Sequence, residues 1–589
     1  VTEAVEAALQ AGKKNISFAF VIDTPAANNQ FDIFASTSAR DVQKPALVAS
    51  EAPYVSGVED VAVETLINVK PQLPQTVTAE YKTGTTGQEE VVWNNVSESD
   101  YAKIGTFQVT GTLKNYPYMT VTAHVTVTPD PSYEGTTYYI SNNGDDGNDG
   151  TSPEKAWKTL DKVNEKYFLP GDKILFEAGG IWNGYLKPQG NGTEDKLITL
   201  SSYGDIDAEG RPVINGGGTE YSDYSATIML VNQSYWTISN FELTNYGQGE
   251  EYGVTKYERP YARAGIYLYT YDQENLVKGL TVENCYVHDV VSCVLGDGVG
   301  NIAPKMSGGI IALAEWRTPD GQKAGDPNDN VAGFDGVKLQ YNTVYRTMHE
   351  GIRTKVQANS GTFNRTCKNI SINNNYIEDT LGDGIVLGEA DGNAVFEYNV
   401  VNKAAARSLN KVYYAAAWTH FSTGVKFQYN EIYGTTYGQT DGQAFDADNE
   451  CYDTLFQYNY SHHNQGGALL LMGSQRNTVY RYNISANDAT GNNQEIFQDH
   501  SNNGTATGAP IVYNNTLHIA KNGRYLFSSM NTTGTPEYVT FVNNIVNVKE
   551  DVSGLQFSKS NKGIAAGSKI QNNLFTSQKN FGLYDAGWT

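Results

Sequence analysis

FQYNEI (427–432), FQYNYS (456–461) and YRYNIS (480–485) are three copies of one phrase, an asparagine set among alternating apolar and polar residues. The phrase extends in both directions: ISNFEL (Asn240), VENCYV (Asn284), LQYNTV (Asn342), INNNYI (Asn375) and FEYNVV (Asn399) before it, VYNNTL (Asn515), FVNNIV (Asn544) and IQNNLF (Asn573) after it. From Asn375 onward the spacings are 24, 31, 29, 24, 32, 29 and 29 residues. A fixed polar residue recurring at that period beside strand-like alternation predicts a parallel β-solenoid, in which each coil supplies short strands and stacks on its neighbours. The asparagines are then expected at a tight bend, each amide donating to and accepting from the backbone of adjacent coils. Surface turn residues, the alternative, have no reason to recur eleven times in register.

Upstream of the repeat, TTYYISNNGDDGNDGTSPEKAWKTL (136–160) supplies a strand and a Gly/Asn/Asp loop. Ser152 follows as N-cap, with Pro153 at the first helical position and Trp157, Leu160 and Val163 at helical spacing. One amphipathic helix is predicted there, covering an otherwise open end of stacked sheet. Residues 1–50 read as the tail of a β module. Residues 51–130 carry short strands separated by Gly, Pro and Asn turns, and PDPSYEGT (129–136) is a linker. The phrases LPQTV, VVW and GTFQVTGT in 73–112 resemble a bacterial immunoglobulin-like domain, which implies a β-sandwich with Trp93 in its core. The expected architecture is all-β: small β-sandwich domains over 1–50 and 51–130, then a right-handed parallel β-helix over 131–589.

Composition narrows the partners. The 589 residues carry 42 Lys+Arg against 65 Asp+Glu, a net charge of −23, with 58 Gly and 40 Tyr. That acidity repels phosphate backbones and anionic membranes, so neither nucleic acid nor a membrane surface is an expected partner. No run of 18 apolar residues exists, and the first residues lack the basic start and apolar core of a signal peptide. Tyr, Asn, Gly and Thr in plenty suit an extracellular or cell-surface bacterial protein, and a monomer is expected. Cys285, Cys293, Cys367 and Cys451 show no metal-ligand spacing and read as buried small hydrophobes.

The densest polar constellation is TDGQAFDADNE (440–450). If Phe445 faces the core, alternation places Asp446 and Asp448 on the outer face about 7 Å apart, while Gly442 lets the chain turn after Asp441. Clustered carboxyls raise one another's proton affinity, and a protonated acid beside an ionised partner is what glycosidic cleavage requires. A Ca²⁺ site or a solvated Asp turn is the alternative. Alignment of the coils on MHEGIRT, LGDGIVL, TDGQAFDAD and NQGGALLL puts Glu350, Asp383, Asp441 and Gln465 one above another. No Lys or Arg occurs in the 49 residues between Lys426 and Arg476. A uronate-cleaving lyase needs a cation there, so a neutral sugar fits with fewer additions.

YYISNNGDDGNDGTSP, PGDKILFEAGGIW and the asparagine repeat resemble right-handed parallel β-helix proteins of the pectate-lyase type. The surroundings of TDGQAFDAD, from AAAWTHFSTGVKFQYNEIYGTTYGQ to FQYNYSHHNQGGALLL, resemble glycoside hydrolase family 136. That resemblance implies release of lacto-N-biose from milk-type oligosaccharides by a retaining mechanism. The family's catalytic aspartates stand seven residues apart, which selects Asp441 as acid/base and Asp448 as nucleophile; physical reading alone ranks Asp446 beside them. No cofactor is required for that chemistry, and a structural Ca²⁺ is possible. Retention demands carboxyls about 5 to 5.5 Å apart, whereas seven extended residues span about 20 Å, so the chain must bend near Gly442 or Asp448.

Around the pair, Gln443, Trp418, Tyr413, Tyr414 and Tyr437 are candidates for sugar contact, and His420, His462 and His463 for hydroxyl binding. Asp383, Arg353, His349 and Glu350 on earlier coils, and Gln494, Asp499 and His500 on a later one, complete the candidate face. A Ca²⁺-dependent polysaccharide lyase, another β-helix glycosidase and a non-catalytic glycan-binding adhesin are the rival readings.

Overall fold

The structure is a computed structural model. It describes residues 55–576 except 219, 221, 254–261, 293–303, 358–364, 407–413, 438–440, 492–493, 502–507, 523–524, 530–537, 550–551, 553–554 and 559–563. The β module expected over 1–50, Cys293 and Tyr413 lie outside the described residues.

The first six strands are Val55–Val58, Val61–Leu66, Thr76–Tyr81, Thr86–Trp93, Gly105–Leu113 and Thr120–Thr128, and they hydrogen-bond in the order 1-3-4-5-6-2. Strand 3 pairs antiparallel with strands 1 and 4. Alternation in TVTAEY turns Val77 and Ala79 inward, where they pack with Val55, Leu113, Tyr116 and Val121. Trp93 packs against this cluster half-buried, its indole N–H donating to the Pro74 carbonyl at 2.7 Å.

From Thr137 the strands are parallel and fall into three long sheets of 14, 13 and 11 strands among the described residues. In each sheet, successive members come from successive coils, so the chain visits first, second and third sheet in turn. This is a parallel β-helix. Inward residues such as Ile352, Ile385, Ala417, Phe445, Leu469 and Phe497 form one continuous core cluster along its length. No helix of the described residues is long and apolar enough to cross a membrane.

The bend between the first and second sheets holds the asparagines. Asn375 accepts on Oδ1 from the backbone N–H and Nδ2 of Asn342, at 3.0 Å each, and donates its own Nδ2 to the Leu339 carbonyl at 2.8 Å. The pattern repeats through Asn399, Asn430, Asn459, Asn483, Asn515, Asn544 and Asn573. Asn240 and Asn284 do not belong to it. They sit one residue early, at φ 69° and 51°, and the ladder position of their coils is filled by Phe241 and Cys285. Asparagine is favoured both at the left-handed residue and at the residue after it, so a sequence alignment on Asn alone slips by one. In later coils the left-handed residue is often tyrosine: Tyr398, Tyr429, Tyr458 and Tyr482 have φ between 54° and 57°. Their rings stack at 5.0, 5.2 and 5.2 Å.

The amino-terminal helix is shorter and later than its sequence suggests. Ser152 starts only a 3₁₀ turn, Pro153–Lys155, and the α-helix is Leu160–Glu165 with Thr159 as N-cap. Asp146 interrupts the expected run by accepting the backbone N–H groups of Lys158 and Thr159 at 2.8 and 3.0 Å, which keeps Trp157 extended beside Ile140. Trp157, Leu160 and Val163 are buried in the core as expected.

Candidate active site

The site grows from the pleat of the third sheet. Phe445 and Ala447 lie in the core, so Asp446 between them faces outward. Register then draws one outward line across coils: Arg353 beside Val386, Val386 beside Trp418, Trp418 beside Asp446, then Leu470 and Gln498. Two residues along the strands a second line holds Gly388 and His420, and further on Met472 and His500.

The chain enters this strand through a bend. Asp441 and Gly442 have φ of 61° and 85°. A Cβ at Gly442 would stand 2.7 Å from the Thr436 carbonyl oxygen, so glycine is required there by conformation and by space. The bend falls where a seven-residue carboxylate pair needs it.

Burial drives all three aspartates toward the protonated form. Asp441 is pushed up to about 7, chiefly by desolvation, with Asp383 and Asp448 adding and Lys305 opposing. Asp446 goes well above the usual carboxylate range, by desolvation and then by Asp448 and Asp441. Asp448 is also raised by burial, but Asn449 works against that: its backbone N–H and Nδ2 donate to Asp448 Oδ1 at 2.7 and 2.8 Å. Among the described residues, Asp446 Oδ1, Gln443 Oε1, Glu350 Oε1 and the Trp418 indole nitrogen are buried without a hydrogen-bond partner. Native proteins leave few such atoms; others occur elsewhere in the described residues, and these four lie on or beside strands of the third sheet.

Cations arrive from earlier coils. Arg353 Nη1 lies 3.0 Å from Glu350 Oε2 and 3.6 Å from Asp383 Oδ2, and Nη2 reaches His420 Nε2 at 3.2 Å. Arginine only donates, so His420 Nε2 accepts and Nδ1 carries the proton, facing Glu389 Oε1 at 3.2 Å. Burial and the neighbouring cations hold this imidazole neutral, well below its ordinary range. Lys305 Nζ lies 3.2 Å from Asp383 Oδ2 and 4.5 Å from the centre of the Trp418 ring. The acidic stretch free of Lys and Arg in sequence is therefore not free of them in space. The sequence before Lys305, VLGDGVGNIAP, has no periodicity, and nothing in it marks the lysine. Among the described residues no group of three or more His, Cys, Asp or Glu side chains is arranged to hold a metal ion.

The structure thus brings Asp441, Asp446, Asp448, Gln443, Trp418, His420, Asp383, Arg353 and Glu350 to one face. His349 joins beneath it, its Nδ1 2.9 Å from the Tyr414 hydroxyl. His420 is a correction in role: both ring nitrogens are engaged within the protein, so it braces Arg353 rather than offering a free nitrogen to a hydroxyl. Glu350 and Asp383 do share a rung, as the pairing of Ile352 with Ile385 requires, but Gln443, not Asp441, is their equivalent two coils on. Asp441 and Gln465 share a rung two residues earlier. Aligning the turn glycines hid that offset. Gln465 Oε1 accepts the Tyr437 backbone N–H at 2.9 Å.

His462 and His463 are not at this face. His462 belongs to the second sheet, stacked on Tyr433 at 4.7 Å with Nε2 3.1 Å from Glu431, and His463 follows it. The residue after an Asn bend begins the second sheet, whereas the aspartates lie on the third. Gln494 is buried just before the strand Phe497–Ser501. On that strand Gln498 and His500 point outward while Asp499 takes the inward register of Leu471. Gln498, missed in the sequence, accepts a hydrogen bond from Gln443 Nε2.

A parallel β-helix with acidic residues, a tryptophan and an arginine gathered on one outer sheet face defines the structural class. Comparisons with known proteins narrow it. Residues 58–116 match the bacterial Ig-like domain (group 4) family. The chain is similar to a lacto-N-biosidase of Bifidobacterium longum subsp. longum, 31% identical over 529 residues, which covers 77% of this chain and 31% of that protein. The chain therefore spans about a third of the length of this curated relative. Its fold matches the native crystal structure of the GH136 lacto-N-biosidase from Eubacterium ramulus with a TM-score of 0.54 at 22% identity, covering 75% of this chain and 68% of that one. The selenomethionine derivative of the same protein gives 0.53. The two family resemblances read from the sequence, Ig-like and lacto-N-biosidase, thus both recur in these comparisons.

Proposed function

We propose that this chain is a retaining glycoside hydrolase that releases lacto-N-biose from lacto-N-tetraose-type oligosaccharides, with Asp441 as acid/base and Asp448 as nucleophile. The observation that carries the assignment of roles is the asymmetry between the two carboxyls. Asp448 accepts two hydrogen bonds from Asn449, which favour its ionised form. Asp441 is pushed up to about 7, so near neutrality it retains a proton to give. The similarity to the Bifidobacterium lacto-N-biosidase supports the substrate class, and an extracellular or cell-surface site of action follows from such a substrate.

In the first step Asp448 attacks the anomeric carbon while Asp441 protonates the departing glycosidic oxygen. In the second, Asp441 takes a proton from water, and that water displaces Asp448 with the original configuration restored. Trp418, beside Asp446 by register, holds a buried indole N–H without a partner, and Asp446, kept protonated chiefly by burial, holds a hydroxyl donor.

The test is incubation with p-nitrophenyl β-lacto-N-bioside and lacto-N-tetraose, with NMR on the first product anomer and pectate as control. Lacto-N-biose released as the β-anomer, and lost in Asp441→Asn and Asp448→Asn, is the expected outcome. An α-anomer excludes retention, and an unsaturated product from pectate with no lacto-N-biose excludes the hydrolase.

A further inference from the structure

The outward line through Arg353, Val386, Trp418 and Asp446 continues upstream as Ile311, Tyr267 and Met229. There it is apolar, and the short 3₁₀ turn Pro304–Met306 lies on it. Met306 is fully buried among Tyr224, Met229, Tyr267, Tyr269 and Ile311. The Tyr267 hydroxyl donates to the Met306 carbonyl, and the Tyr224 hydroxyl reaches the Met306 sulfur at 3.3 Å. The next residue back, Lys305, points the other way. Its ammonium stands 4.5 Å from the Trp418 ring centre, 5.1 Å from that of Tyr414 and 3.2 Å from Asp383 Oδ2.

We propose that Lys305 is a positioning residue of the reaction: a strap seated on the aromatic half of the third sheet carries its ammonium to the acidic half, where it sets the charge state of the aspartate cluster. This rests on the hydrolase reading with Asp441 and Asp448 in their assigned roles. The other charged groups facing the cluster have close partners of their own, and of the cations among them Arg353 also favours the ionised form of Asp448, after Lys305. Arg353 serves Glu350, Asp383 and His420; Lys355 and Glu389 act on each other; His420 is neutral. Asp383 gives its second oxygen to the Ala415 N–H at 2.8 Å. Lys305 opposes protonation at Asp441, Asp446, Asp448 and Glu350 alike. A cation held against two aromatic rings in a buried site acts on the carboxyls around it through a medium of low dielectric.

The sign is definite. Without the ammonium both reacting carboxyls hold their protons to higher pH, so both limbs of the kcat/KM bell move upward together. The experiment compares Lys305→Met, Lys305→Arg and Tyr267→Phe with the parent chain on p-nitrophenyl β-lacto-N-bioside from pH 4 to 9. Lys305→Met is expected to shift both limbs up by about one pH unit, Lys305→Arg to restore them, and Tyr267→Phe, which loosens only the strap, to shift them less. A bell lowered in height but unmoved overturns the proposal. Carbon-13 titration of labelled aspartate carboxyls reads the same shift without substrate. An upward shift there in Lys305→Met combined with an inactive parent chain would retire the hydrolase reading alone, and unshifted carboxyls would retire the role of Lys305.

Discussion

Two parts of the solenoid bury polar side chains, and they do so in opposite ways. At the asparagine bend each amide oxygen accepts two hydrogen bonds from the coil before it, and each amide nitrogen donates to that asparagine's successor and to a backbone carbonyl. At the aspartate face, buried atoms of Asp446, Gln443, Glu350 and Trp418 have no partner among the described residues, and carboxyls crowd one another. A saturated network rigidifies, whereas an unsaturated one holds free energy ready for a group that arrives from outside. The bend has the marks of structure and the aspartate face those of a candidate site, although both are polar, buried and built from register-aligned coils.

The comparison breaks most visibly through catalysis. Asp441→Asn should lower kcat on p-nitrophenyl β-lacto-N-bioside by about 10² to 10⁴-fold, the usual worth of a general acid, with a thermal midpoint no lower than the parent's. Asn430→Ala should do the reverse. It strips the Asn399 backbone N–H and Nδ2 of their acceptor and the Phe396 carbonyl of a donor, at a cost of about 3 kcal/mol in denaturant unfolding, with kcat unchanged in the folded fraction. A smaller effect concerns pH. Asp441, Asp446 and Asp448 bind protons more tightly folded than unfolded, so stability is greater in acid and falls as pH rises from about 4 toward 7. Each aspartate that keeps its proton only in the folded state contributes a slope of up to about 1.4 kcal/mol per pH unit, and Asp446→Asn should remove its share. Smallest is Tyr429→Asn, which relieves a left-handed tyrosine at φ 57° but removes two ring stacks. The two nearly offset, leaving less than about 1 kcal/mol.

Features that live on one strand were legible in the chain. The asparagine period announced the solenoid, alternation about Phe445 placed Asp446 outward, and Gly442 marked the bend that a seven-residue pair requires. What needed the fold was whatever depends on relative placement of coils. Loops of unequal length hid a two-residue offset between Asp383 and Asp441, and a one-residue slip misplaced Asn240 and Asn284. His462 looked close to Asp448 because it is only 14 positions away, yet a coil turns through a whole sheet in that distance. Lys305 is the converse, 136 positions before Asp441 and electrostatically coupled to it.

The asparagine bend also bears on how such a chain reaches its fold. From Asn342 onward each rung hydrogen-bonds to one only 24 to 33 residues away, whatever the total length. Closing a loop costs entropy that grows only with the logarithm of its length, so every coil added to a formed stack meets nearly the same small penalty. Strand pairing in a sheet of more than ten parallel strands thereby joins only neighbouring coils, and its folding rate should follow the slowest single coil rather than the number of coils.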